Sequence, residues 1–117
     1  MSDVKVLSVD LGPVAVLDDP VPEERRIAGV PMRGARSTYD SDKDGFYAGV
    51  WESEPGAWRV SYDEDELCVI LAGRMRLIAD DGTVAEYRAG EAFVVPRGFR
   101  GTWETIEHVR KIYAISV

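Results

Sequence analysis

From residue 46 onward the chain alternates apolar and polar positions in short runs rich in Val, Ile, Tyr and Trp. A period of two places successive side chains on opposite faces, which is the mark of half-buried β-strands. Runs of this kind cover residues 46–52, 57–62, 66–71, 74–79, 83–88, 92–96, 100–105 and 109–117. Turn chemistry separates them at Glu54-Pro55-Gly56, Ala72-Gly73, Asp80-Asp81-Gly82, Ala89-Gly90 and Arg97-Gly98. Asp81-Gly82 is a hairpin signal, because both residue types tolerate positive φ. Strands so short and so evenly spaced predict an all-β sandwich or barrel rather than a parallel sheet with crossover helices.

Before residue 46 the pattern breaks up. Pro13, Pro20, Pro22 and Pro31 interrupt any long element, so residues 1–45 read as an irregular N-terminal arm with short edge strands at 4–9 and 15–17. Residues 46–117 form the expected barrel core, the two parts together making one domain. Helical turns are expected only at 22–27 and 106–109.

Composition leaves this reading in place and narrows the partners. Hydrophobic residues make up 45% of the chain, enough for a packed core. Acidic residues outnumber basic ones 21 to 14, and the resulting charge of −7 repels nucleic acid and anionic membrane surfaces. No apolar run approaches the roughly 18 residues of a spanning helix. With a single cysteine, Cys68, there is no internal disulfide, and with no secretory leader pattern the expected location is the cytoplasm.

Two glycine-bounded segments then resemble the paired motifs of the cupin superfamily. In the first, Gly56 opens, Glu66 follows, and Gly73 closes with six residues between it and Glu66; in the second, Gly90, Pro96 and Gly98 are in register. The resemblance covers residues 46–117. Gly49-Val50-Trp51-Glu52, Asp65-Glu66, Gly101-Thr102-Trp103-Glu104 and Arg110-Lys111-Ile112-Tyr113 are further similar to the branch named for the ureidoglycine aminohydrolase domain. The fold implied is a double-stranded β-helix, or jelly-roll barrel. Metal-binding members use two histidines and a glutamate of the first motif with one histidine of the second. Here the histidine positions fall on Val60 and Tyr62 (Arg59 and Ser61 at the longer spacing) and on Gly101, and the asparagine position on Thr105. Glu66 alone remains, and one carboxylate does not make a transition-metal site. The cofactor is therefore left unknown and tight metal binding is not expected.

If Glu66 points inward, alternation brings Cys68 and Ile70 with it, and Gly101, Trp103, Thr105, Val60 and Tyr62 on neighbouring strands. Glycine at 101 is expected to leave room for a ligand beside Trp103. The candidate ligand wall is Trp103, Tyr113, Trp58 and Cys68, although Trp58, like Trp51, also suits a core or a dimer interface. The candidate acid–base residues are Glu66, Tyr62 and Lys111, Lys111 either entering the barrel or standing exposed on an edge. Cys68 as a nucleophile would need a histidine, and His108 lies far off in sequence. Asp40-Ser41-Asp42-Lys43-Asp44-Gly45 matches half a calcium loop, but Trp51 stands where the bidentate glutamate belongs, so a solvated acidic turn is expected. The resulting expectation is a module that binds a small polar or carboxylated metabolite without a conventional metal site. The alternatives are a small acid–base enzyme of aminohydrolase, lyase or isomerase type, or a barrel serving dimerisation. A homodimer is the expected assembly.

Overall fold

The computed structural model describes residues 4–117. Regular structure in these residues is β-strand apart from one 3-10 turn, Glu23–Arg25, and no helix among them is long and apolar enough to cross a membrane. The strands are β1 (Asp19–Pro20), β2 (Arg26–Ala28), β3 (Met32–Ser41), β4 (Phe46–Ser53), β5 (Gly56–Ser61), β6 (Asp65–Ala79), β7 (Val84–Arg88), β8 (Ala92–Val95) and β9 (Arg100–Ser116). All pairings are antiparallel. β1, β3, β4 and β9 are paired in that order, as are β9, β5 and β2, with β4 and β5 on successive lengths of one edge of β9, and β6 runs along its other edge carrying β7 and β8. The curled sheet is the all-β jelly-roll barrel that the strand pattern and the motif resemblance predict.

β9 is the strand that holds the barrel together. Its first part pairs with β5, from Ser61↔Arg100 to Gly56↔Thr105, and its second with β4, from Ser53↔Val109 to Phe46↔Ser116. Its other edge pairs with β6 along nearly the whole length. The alternating face holds as expected: Glu66, Cys68 and Ile70 of β6 are buried, as are Trp103 and Thr105 of β9, while Leu67 is exposed.

A strand this long cannot stay straight and still close a barrel. Trp103 and Lys111 are eight residues apart, roughly 26 Å along an ideal strand. Yet the Lys111 ammonium sits 4.6 Å from the centre of the Trp103 ring. β9 bends between them. Opposite the bend, the β6–β9 register shifts repeatedly between Ile70 and Met75, and such bulges curve a sheet. Gly73 lies within this stretch at φ 82°, and the space where its Cβ would stand is filled by the His108 carbonyl.

The structure departs from the sequence pattern in several places. Of the helical turn expected at 22–27 only Glu23–Arg25 is helical, and Arg26 and Ile27 belong to β2. Residues 106–109 are continuous strand, because the polar interruption there marks the bend and not a helical turn. The expected strands at 66–71 and 74–79 are one, as are those at 100–105 and 109–117. β3 was not legible from its sequence, Met-Arg-Gly-Ala-Arg-Ser-Thr-Tyr-Asp-Ser, which offers no apolar stripe; it pairs with β4 from Arg33↔Ser53 to Ser41↔Phe46. Residues 4–9 and 15–17 form no strand. Side chains hold part of this segment instead. Arg36 donates through its guanidinium to the carbonyls of Asp10, Gly12 and Pro13, and Val14 N–H donates to Glu52 Oε1 at 2.8 Å.

Glu52 is buried, and its other oxygen lies 2.7 Å from His108 Nε2, with Arg110 nearby at 3.9 Å. Burial alone would raise its pKa, but the Val14 and His108 hydrogen bonds and the two basic neighbours outweigh burial and hold the carboxyl below its ordinary 4.5. A depressed carboxylate contributes stability that is complete above the unfolded value and is lost as pH falls through the folded one. Glu52→Gln is therefore expected to flatten the fall in stability between about pH 5 and pH 3. Urea unfolding across that range checks this, and an acid limb identical to that of the parent would contradict it.

Candidate functional site

The register of β3, β4 and β9 sets facing side chains in rows. Ala35, Trp51 and Lys111 form one row, and Asp40, Tyr47 and Ile115 another. With Trp58 and Val60 of β5, Tyr62 just beyond it, Glu66 of β6 and Trp103 of β9, they line a cavity of about 450 Å³.

At its floor lies a buried ion pair. Lys111 Nζ donates to Glu66 Oε2 at 2.7 Å and to Cys68 Sγ at 3.3 Å, and the Cys68 thiol donates to the same Glu66 oxygen at 3.3 Å. The ammonium also stands over two indole faces, 4.8 Å from Trp51 and 4.6 Å from Trp103, the geometry of a cation–π contact. Burial disfavours its charge, but the acidic groups around it, the bonded Glu66 carboxylate among them, more than offset this, so Lys111 is held above its ordinary pKa and stays an ammonium. Burial pushes the Cys68 thiol up to about 12. It likewise raises the Tyr62 phenol, only partly countered by Lys111. Both stay protonated at neutral pH.

Three tryptophans make the wall. Trp103 meets Trp51 edge-on at 5.3 Å and lies stacked with Trp58 at 6.3 Å. Its own N–H is satisfied behind the wall, donating to Thr105 Oγ1 at 2.9 Å, which donates to Ser53 Oγ at 3.1 Å. A buried indole with its polar edge so anchored presents its π face at a fixed angle. At one end Arg33 stacks over Trp58, 5.3 Å from the ring.

The expected site residues Glu66, Tyr62, Lys111, Trp103, Tyr113 and Trp58 all line this cavity. Cys68 does not; it lies beneath the ion pair and touches its two members. Lys111 enters the barrel. Trp51, expected in a core or an interface, stands in the wall. Gly101 does not open the pocket: a Cβ there would meet the Ile78 carbonyl, so this glycine permits close approach of β9 to β6. His108 is engaged by Glu52 and forms no pair with Cys68. Arg25, Arg33 and Asp40 were missed because they sit on a segment whose pattern announces no strand, so nothing in the sequence said which way they face. In the acidic turn, Ser41 Oγ donates to Asp44 and Tyr47 O–H to Asp42, as in an ordinary hairpin loop.

The residues present do not suit the metal that the cupin resemblance implies. An ammonium already occupies the place beside Glu66 where a metal cation would sit, and would repel it. The remaining ligand positions carry apolar, phenolic or glycine residues. Among the described residues there is no group of three or more His, Cys, Asp or Glu that could hold a metal ion.

Residues 40–113 match the family model of the EutQ-like cupin domain. No curated protein matches the chain. Among solved structures, a Pseudomonas syringae protein of unknown function from the DUF861 family superposes with a TM-score of 0.82 at 22% identity, over 92% of this chain and 46% of that one. The Clostridium difficile EutQ protein gives 0.67 at 17%, over 74% of this chain and 63% of that one. A Thermotoga maritima DUF861-family protein is 34% identical over 55% of this chain and 73% of its own, with a TM-score of 0.53. The chain thus spans about half the length of the Pseudomonas protein and under two thirds of the Clostridium one.

Proposed function

The chain belongs to the EutQ-like cupin domain family, and we propose that it binds a small polar or carboxylated metabolite in the tryptophan-walled cavity, with Lys111 as the fixed cation of the site. The observation that carries this reading is the Lys111–Glu66 pair, buried at 2.7 Å between the faces of Trp51 and Trp103. A cavity of this volume, walled by aromatic rings and holding a few convergent polar groups, has the usual form of a small-molecule site. Lys111 and Tyr62 both keep their protons and can donate, which favours a ligand rich in acceptors, such as a carboxylate or carbonyl.

The same protonation states weigh against the acid–base enzyme. With the lysine and the phenol both pushed upward, neither is a base at neutral pH, and the thiol at about 12 is no nucleophile. That leaves Glu66, whose Oε2 is already bonded twice. Binding needs only the charges as they stand.

The chain has three tryptophans, all in the cavity wall, so intrinsic fluorescence reads the site directly. Titration with a panel of small carboxylic acids is expected to give a saturable change for at least one member. In the double variant Glu66→Leu/Lys111→Met, affinity should fall at least tenfold while the circular dichroism spectrum is kept. Absence of any saturable response, or a response unaltered in the folded double variant, would sink the reading.

A further inference from the structure

We infer, on the premise of that binding site, that the cavity selects a bipolar ligand, with an anionic group toward Arg25 and Arg33 and a cationic group toward Asp40 and Glu64. Charged residues of opposite sign line the two ends of one cavity, and the strand register keeps them apart. Arg33 and Asp40 belong to the same strand, β3, and their Cα atoms are roughly 23 Å apart at the rise of a β-strand. The row of Ala35, Trp51 and Lys111 lies between them, and the row of Asp40, Tyr47 and Ile115 lies at the far end. Side chains reaching inward shorten the gap, and the tryptophan wall lies between the two ends.

Each end carries the aromatic that suits its charge. At the basic end the Arg33 guanidinium lies over Trp58, 5.3 Å from the ring centre, and is held there by hydrogen bonds to the Asp19 and Pro20 carbonyls. Asp19 pairs with Arg33 at 3.0 Å and is itself largely exposed, so it screens this end without filling it; Arg25 adds a second positive charge. At the acidic end two phenols stand among carboxylates. The Tyr47 phenol is raised first by its hydrogen bond to Asp42, with Asp40 and Glu64 adding to it. Burial and then Asp40 raise that of Tyr113. Electron-rich rings beside carboxylates favour an ammonium or guanidinium. In the middle, Trp51 and Trp103 offer apolar faces beside the Lys111 ammonium, whose charge is paired by Glu66. The ligand class that fits is a short amino acid or peptide-like molecule whose opposite charges are separated by an apolar stretch. A compact singly charged acid meets only half of the site.

The probes are 6-aminohexanoate, hexanoate and hexylamine, titrated against intrinsic fluorescence with the parent, Arg25→Gln/Arg33→Met and Asp40→Asn/Glu64→Gln. In the parent, 6-aminohexanoate is expected to bind at least tenfold more tightly than either single-charge probe. The arginine variant should weaken 6-aminohexanoate and hexanoate and leave hexylamine unchanged, and the carboxylate variant should weaken 6-aminohexanoate and hexylamine and leave hexanoate unchanged. Equal affinity of hexanoate and 6-aminohexanoate, or variants that affect all three probes alike, would overturn the bipolar assignment while leaving small-molecule binding intact. If no probe gives a saturable response, the assignment falls together with the binding reading.

Discussion

Lys111→Met is expected to destabilise the fold by about 3–5 kcal/mol, because it removes one member of a buried ion pair and strands the other. Glu66 and Lys111 are both buried, at 7% and 4% exposure, so solvent cannot take over the lost partner's role. The large number belongs to the stranded charge and not to the pair itself, since two opposite charges must first be desolvated before they attract. Replacing both by apolar side chains of similar size removes the desolvation and the attraction together, which is often neutral or stabilising. Glu66→Leu/Lys111→Met is accordingly expected to recover most of the loss. Urea midpoints of the two singles and the double form a mutant cycle with a large favourable coupling. If the effects simply add, the pair is not the coupled unit that its geometry describes. The cycle also separates stability from binding, because the double variant is folded yet lacks the cation that faces the ligand.

Gly73→Ala is expected to cost more than any other single methyl group added at a turn. Gly73 sits at φ 82°, where a side chain meets its own backbone at about 1–2 kcal/mol, and the added Cβ would also run into the His108 carbonyl of β9. Gly82 offers the control. It is at φ 90° in an open hairpin with nothing within 4 Å of the Cβ site, so Gly82→Ala incurs the conformational penalty alone. The difference between the two measures the steric overlap at the bend, and it should exceed about 1 kcal/mol, a backbone carbonyl having little freedom to move away. Thermal midpoints of both variants decide it. Equal losses would mean that the approach of β6 to β9 at Gly73 is not what shapes the barrel.

Much of the barrel was legible in the sequence because its inner faces keep strict alternation. Glu66, Cys68 and Ile70 share one face, Trp103 and Thr105 another, and a single inward residue orients each set. Glycines and the proline of the two motifs placed the turns. Legibility ended where neighbours, not local pattern, decide the conformation. β3 is polar along both faces and is strand because β4 offers it an edge, so Arg33 and Asp40 could not be assigned to the cavity. Residues 106–109 interrupt the alternation because the strand bends there, and a break in period reads the same whether a strand ends or turns. Lys111 could be read either way, since a lysine on an edge and a lysine beside a carboxylate look alike until register is known. Gly101 misled for a related reason: a missing side chain leaves space for a ligand or for another backbone, and here it was backbone.

The position of β9 has a consequence for how the protein comes to be folded. β4, β5 and β6 all precede it in the chain, and each keeps an edge that only β9 can occupy. Apart from the hairpins that β3–β4 and β6–β7 can make locally, native pairing waits on long loop closures, whose entropy slows folding to the range of milliseconds to seconds. Trp103 and Lys111 arrive with that same strand. Recovery of the native tryptophan signal after dilution from denaturant should therefore coincide with acquisition of the site, leaving no early species that is collapsed and already able to bind.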